Sequence, residues 1–269
     1  MRPTRRILAG LAVLAIVATP AAAQDNGVAG GLFEELAGNE ATARTTLEAW
    51  FGTVPAEHEP IYVAYLQGLA ADPAVVTYIV GRTGQPTDPS TYLAGPARSA
   101  VLDATNNGVR LLTSEQQAAY YDFARDTFTW VAANDQEGCR TMLVGGGNAP
   151  GEDAAIPYMN AYQATLPAAD VAAILDLSRT AFMAIVTDAA PANAFTDAQL
   201  TEGLDAYRTT LLAAVNGAPN GAELAAAAAR LGEATPAQAC SIGVMSLDVL
   251  LDLPAPQRDY AVQALANQL

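Results

Sequence analysis

The single histidine of the chain, His58, lies between two acidic residues and is followed at helical spacing by two tyrosines. An imidazole beside carboxylates is a combination used for proton transfer and ligand binding. Adjacent residues point to different sides of a helix, however, and the proline after Glu59 also fits a helix start with a solvated acidic first turn. With that alternative open, the candidate ligand or partner contacts are Glu57, His58, Glu59, Tyr62 and Tyr65.

Two aspartates near the C-terminus, Asp248 and Asp252, are four residues apart and therefore share one face of a helix. Such a pair could hold a proton or a cation, or form a narrow polar stripe on a buried helix. Residues 239–243 resemble a nucleophile elbow around Ser241, but a predicted helix start precedes them and the only histidine lies far upstream. We therefore assign no catalytic residue from the sequence.

The two cysteines, Cys139 and Cys240, each lie five residues after a candidate helix cap, Asn134 and Thr235 respectively. In an exported protein two cysteines at matching helical positions favour a disulfide. A redox pair would need closer spacing, and a metal site would need ligands that one histidine cannot supply. The sequence therefore predicts a Cys139–Cys240 disulfide, no metal site and no cofactor.

Aromatic and flexible segments mark further candidate surfaces. Gly and Pro concentrate at residues 81–96 and 145–157, which predicts two long loops as the first places to look for a binding site. Several tyrosines recur at helical spacing and either line a ligand groove or edge the core. They are Tyr62, Tyr65, Tyr120, Tyr121, Tyr158 and Tyr162.

The N-terminus has the three parts of an export signal. Arginines occupy positions 2, 5 and 6, residues 7–17 are apolar, and residues 20–23 form a small-residue cleavage site. The apolar run is about half of the roughly 20 residues that a membrane span requires. The sequence therefore predicts a signal peptide at residues 1–23, cleavage after Ala23, a periplasmic location and no stable membrane anchor.

The charge of the chain limits its partners. All 13 basic residues are arginine, against 28 acidic residues, and the formal net charge is −15. Beyond the first six residues no cluster of cations is present to neutralise phosphates, which argues against nucleic acid as a partner. A protein or small-molecule partner, if it is charged, is therefore expected to be cationic.

Apolar residues recur with the helical period almost throughout the chain. Capping-box patterns begin at Thr113, Asn134, Thr196 and Thr235, and the segment 242–253 is apolar nearly all round, which predicts a central helix. The sequence predicts an all-α multi-helix bundle of about ten helices without a significant sheet. We expect a flexible segment at 24–40 and one domain at 41–269, with candidate sub-units 41–112 and 113–269.

Together these patterns predict an exported, disulfide-stabilised helical protein that acts by binding or scaffolding. We rank binding above catalysis because the sequence has no recognisable triad, phosphate loop or zinc signature. The alternative is an all-α periplasmic enzyme with hydrolase-like carboxylate acid–base chemistry, which requires none of those motifs. A pocket of converging carboxylates would favour the enzyme, and an exposed apolar or tyrosine-rich surface would favour the binding protein.

Overall fold

The computed structural model describes residues 27–144 and 151–268, and all regular structure within them is helical, as predicted. Fourteen α-helical segments occur in these ranges, more than the ten expected, because several are short. They are α1 (Gly27–Gly38), α2 (Glu40–Phe51), α3 (Glu59–Ala70), α4 (Pro73–Thr83), α5 (Pro89–Tyr92), α6 (Arg98–Gly108), α7 (Ser114–Asn134), α8 (Gln136–Val144), α9 (Gly151–Gln163), α10 (Ala168–Val186), α11 (Asp197–Gly217), α12 (Gly221–Ala229), α13 (Pro236–Asp252) and α14 (Gln257–Ala266).

Helix starts follow the local sequence closely. The capping boxes at Thr113, Thr196 and Thr235 all form, with each threonine hydroxyl accepting from a backbone N–H three residues on. The prediction for Asn134 was wrong. Asn134 is the last residue of α7, and its side-chain amide donates to the Trp130 carbonyl, while the Asp135 carboxylate accepts from the backbone N–H of Gly138.

Two segments expected to lack structure are helical instead. Helix α1 lies within the supposedly flexible residues 24–40, and it buries Ala29, Phe33 and Leu36 in the core. The first predicted loop, 81–96, contains the end of α4, all of α5 and most of a π-helical stretch at Leu93–Ala97 that leads into α6. Glycine and proline predict a loop in this segment because they usually break helices. Pro89, however, occupies the first turn of α5, where proline favours a helix start.

Two of the predicted segments lie wholly or partly outside the described residues. The signal peptide at 1–23 lies outside the described residues, as do residues 145–150 of the second predicted loop, and residues 151–157 of that loop belong to α9. Within the described ranges, no single helix is long and apolar enough to cross a membrane. Only α3 and α4 taken together pass that test, and they meet at a 77° bend.

The core of the first half includes a helix from much later in the chain. Helices α1–α6 pack around buried side chains such as Phe33, Leu66 and Ile79, and α10 adds Val171 and Phe182 to the same cluster. The α6–α10 contact is close, because Gly108 lacks the Cβ that would collide with the backbone carbonyl of α10. Residues from both sides of position 112 therefore contribute to this one core cluster.

The second half is held together by a covalent bond and by buried amides. Cys139 on α8 and Cys240 on α13 form the predicted disulfide, with their Cα atoms 5.0 Å apart. Near α14, the Gln263 side chain accepts from the amides of Gln117 and Asn193, and its own amide donates to the Arg110 carbonyl. These bonds connect α7 and α14 to the segment that joins α10 to α11.

Candidate functional site

The structure separates the five residues that were nominated around the histidine. The His58 side chain is fully buried at the start of α3, and neither ring nitrogen has a hydrogen-bond partner in the described part of the chain. The nearest oxygen of Glu57 is 3.8 Å from Nε2, too long for a hydrogen bond, and Glu59 binds Arg44 at 3.0 Å instead. The acidic pair and the imidazole therefore form no common site.

The two tyrosines of this set do come together, at the contact of α2, α3 and α9. Tyr62 is buried and donates through its hydroxyl to Gln163 Oε1 at 2.6 Å, and burial raises the pKa of Tyr62 to about 12. The ring of Phe51 packs against Tyr62 and Tyr65. Tyr65 lines a small cavity beside this contact.

A groove along α13 is a prominent concave surface of the described residues. We define the α13 groove by the stripe of side chains on α13 that forms its floor and by walls from α7 and α11. Its volume is about 840 Å³, within the range of ligand-binding sites. The floor consists of Ala237, Cys240, Ser241, Val244, Met245, Asp248, Val249 and Asp252, and the walls include Thr129 and Ala132 of α7 and Thr210 and Ala214 of α11.

The floor follows the surface spacing of a single helix face. Its members recur at intervals of three and one along α13 from Ala237 to Asp252, so they form a continuous stripe of roughly 22 Å at 1.5 Å per residue. Val244 and Met245 lie at the middle of the stripe and are half-buried. A groove of this length and composition matches the dimensions of an amphipathic helix of about four turns.

Charge is concentrated at one end of the α13 groove. The Asp248 side chain is 51% exposed, and within the described residues its only ion pair is with Arg125 on α7, 4.0 Å away. Arg125 is already bound by Asp122 at 2.7 Å and Asp126 at 2.8 Å. The hydrogen bond to Asp126 is the main cause that raises the pKa of Arg125. Three carboxylates therefore share one guanidinium, and the exposed Asp252 lies one turn further along α13.

Local packing explains why the groove has these walls. Gly243 has no side chain, and the ring of Phe128 lies where its Cβ would be, so α7 and α13 approach closely on the side away from the groove floor. The Cys139–Cys240 disulfide fixes the start of α13 to α8. The remaining contacts of α13 are with α11, α12 and α14, which leaves one face of the helix uncovered by described residues.

Sequence reasoning found part of this site. The sequence pattern predicts the polar stripe that contains Asp248 and Asp252, but it also predicts a central helix, whereas Val244 and Met245 line an open groove. A helix that is apolar nearly all round would normally be buried. The sequence does contain a signal for the open face. Asp248 lies beside Val244 and Met245 on one face of the helix, and a charged residue at such a position is unusual in a fully buried helix.

The chain matches no known family model, no curated protein and no solved structure. Over residues 27–144 and 151–268, no group of three or more His, Cys, Asp or Glu side chains is placed to hold a metal ion. The α13 groove is therefore the candidate functional site.

Proposed function

We propose that this protein is an exported binding protein whose α13 groove takes a cationic amphipathic helix or peptide. The observation that carries the proposal is the uncovered face of α13, where half-buried Val244 and Met245 adjoin the exposed carboxylates of Asp248 and Asp252. An apolar strip beside an unbalanced negative charge is complementary to a helix with one apolar and one basic face.

The proposed export agrees with the N-terminal sequence and with the disulfide, because disulfides persist in oxidising compartments. A cationic partner agrees with a chain that has 28 acidic residues and no lysine. At ordinary ionic strength the carboxylates attract a basic peptide over about 8–10 Å, and apolar contact then holds it.

We prefer binding to carboxylate catalysis because of the exposure of the acidic side chains. The Asp248 carboxylate is half-exposed, so it retains much of its hydration. A hydrated carboxylate is suited to pair with a cation, whereas a general acid at neutral pH usually requires a desolvated one. Asp248 and Asp252 are therefore assigned to recognition of positive charge.

The test uses a labelled helical peptide of roughly 15 residues, with leucines on one face and arginines on the other, measured by fluorescence anisotropy. Met245→Gln removes apolar contact while it keeps side-chain length, and we expect it to weaken binding about tenfold or more. Leu212→Gln is the matched control, since Leu212 is a 63% exposed apolar residue of α11 outside the groove lining.

The charge is tested separately with the double variant Asp248→Asn/Asp252→Asn, which should weaken binding about 5- to 30-fold, given about 0.5–1 kcal/mol for each exposed pair. The double variant Asp176→Asn/Asp188→Asn, at two exposed aspartates outside the groove lining, controls for the same change in net charge. The proposal fails if a peptide with glutamates in place of arginines binds equally well. It also fails if Met245→Gln and Leu212→Gln have the same affinity.

A further inference from the structure

A second site, separate from the α13 groove, lies between the N-terminal helices and α9. It is a cavity of about 110 Å³ whose walls are largely aromatic and aliphatic, with contributions from Trp50, Phe51 and Tyr120. At about 30 Å³ per water molecule it has room for three or four waters. It shares no lining residue with the α13 groove.

The charge of this cavity is opposite to that of the protein as a whole. In a chain with 28 acidic residues, none of the described residues that line the cavity is acidic, and its only charged side chain is Arg98. Arg98 is partly buried at the start of α6, and its guanidinium has neither an ion pair nor a hydrogen bond within the described ranges. A partly buried guanidinium normally has an acceptor partner.

Two further hydrogen-bond donors line the same cavity. Gln163 is buried, and its Oε1 is occupied by the Tyr62 hydroxyl, which leaves its Nε2 group to donate. The Tyr65 hydroxyl also lacks a hydrogen-bond partner among the described residues. Burial raises the pKa of Tyr65 above its usual range, so this hydroxyl stays protonated and can donate.

We propose that this cavity binds a small carboxylic acid with an apolar body, its carboxylate held by Arg98, Tyr65 and Gln163. Three donors with spare capacity, one of them cationic, require an acceptor that carries negative charge. The planar guanidinium fits a carboxylate in a two-pronged geometry. The aromatic and aliphatic walls exclude a fully hydrated ion and fit the short chain of an organic acid.

Propionate is the probe for the test, because its size suits a cavity with room for about three or four waters. The intrinsic fluorescence of the protein is the readout, because Trp50 lines the cavity and is one of only two tryptophans in the chain. We expect saturable binding of the full chain with a Kd on the order of 1 mM, as suits a ligand of this size. Propionamide has the same shape without the charge, and it should bind at least tenfold more weakly.

Two variants separate the charge from the hydroxyl. Arg98→Met should weaken propionate binding at least tenfold, and Tyr65→Phe, which removes one oxygen atom, about fivefold. Arg82→Met is the matched control, because Arg82 is an exposed arginine of α4 outside the cavity lining. Circular dichroism verifies that each variant is folded before its affinity is compared.

The proposal is overturned if propionate shows no saturation up to about 10 mM, a tenfold excess over the expected Kd, or if propionamide binds as tightly as propionate. Equal affinities of Arg98→Met and Arg82→Met would overturn it as well. Binding of the amphipathic peptide to the α13 groove is measured on the same samples, so failure here is distinguishable from failure of the proposed function.

Discussion

Removal of the Cys139–Cys240 disulfide should cost more stability than any other change of two side chains considered for this protein. The bond closes a loop with a sequence separation of 101 residues. In the chain-entropy relation, closing such a loop lowers the entropy of the unfolded chain by about 16 cal/mol/K, which is about 4.7 kcal/mol at 25 °C. In a domain of this size that loss lowers Tm by roughly 10–20 °C.

The variant Cys139→Ala/Cys240→Ala is the direct test, because both sulfur atoms are buried and alanine introduces no polar group. Urea unfolding followed by circular dichroism gives the free energy, and the wild-type protein with its disulfide reduced provides the control that retains both side chains. We expect the unfolding slope m to rise as well, since an unfolded chain without the cross-link exposes more surface.

An entropic effect on the unfolded chain also predicts how the native state of the double variant behaves. If the disulfide acts on the unfolded chain, then native α13 keeps its position and the amphipathic peptide binds the double variant with wild-type affinity. A stability loss below about 1 kcal/mol would refute the entropic account. A large loss accompanied by loss of peptide binding would instead assign the disulfide to positioning of the groove.

Three other perturbations follow from the packing. Gly108→Ala should destabilise the fold by several kcal/mol, because its Cβ would meet the backbone of α10, whereas Gly31→Ala on the open side of α1 should stabilise it by up to about 1 kcal/mol; thermal unfolding compares the two. Gln263→Leu should cost about 2–4 kcal/mol in urea unfolding, because it removes three hydrogen bonds of a largely buried network, and a loss below 1 kcal/mol would contradict the network. Burial raises the pKa of Tyr62 to about 12 and also raises that of Tyr121, above about 10 in the unfolded chain. The native state therefore holds these protons more tightly, so the associated stability is complete below pH 10 and declines as the pH rises towards 12; unchanged urea midpoints between about pH 9 and 11.5 would contradict this.

Local signals in the sequence were sufficient wherever a local interaction decides the structure. The threonine capping boxes and the helical period needed only neighbours three and four residues away, so α7, α11 and α13 begin where the pattern predicts. The error at Asn134 has the same origin, because Asn134 and Asp135 are both acceptable caps. The helix continued for one more residue, and the Asn134 amide bonded the preceding turn instead.

The α13 groove and the second cavity, which Arg98 lines, could not be predicted from the sequence in this way, because each depends on helices that are distant along the chain. The groove joins Thr129, Thr210 and Met245, and the cavity joins Trp50, Arg98 and Gln163. Periodicity shows which residues share a face of one helix, but it does not show which faces find a partner. The nearly all-round apolar character of α13 thus predicted burial, although one of its faces stays uncovered.

Helix α7 contributes to both proposed sites and gives them a physical connection. Thr129 and Ala132 form part of the groove wall, and Tyr120 lines the cavity. The separation of nine residues between Tyr120 and Thr129 corresponds to roughly 14 Å along a continuous helix. Phe128, which lies between them, is packed against α13 at Gly243. If the ligand of the cavity shifts α7, it should therefore change the affinity of the groove for the amphipathic peptide. Equal peptide affinities with and without saturating propionate would contradict such a coupling.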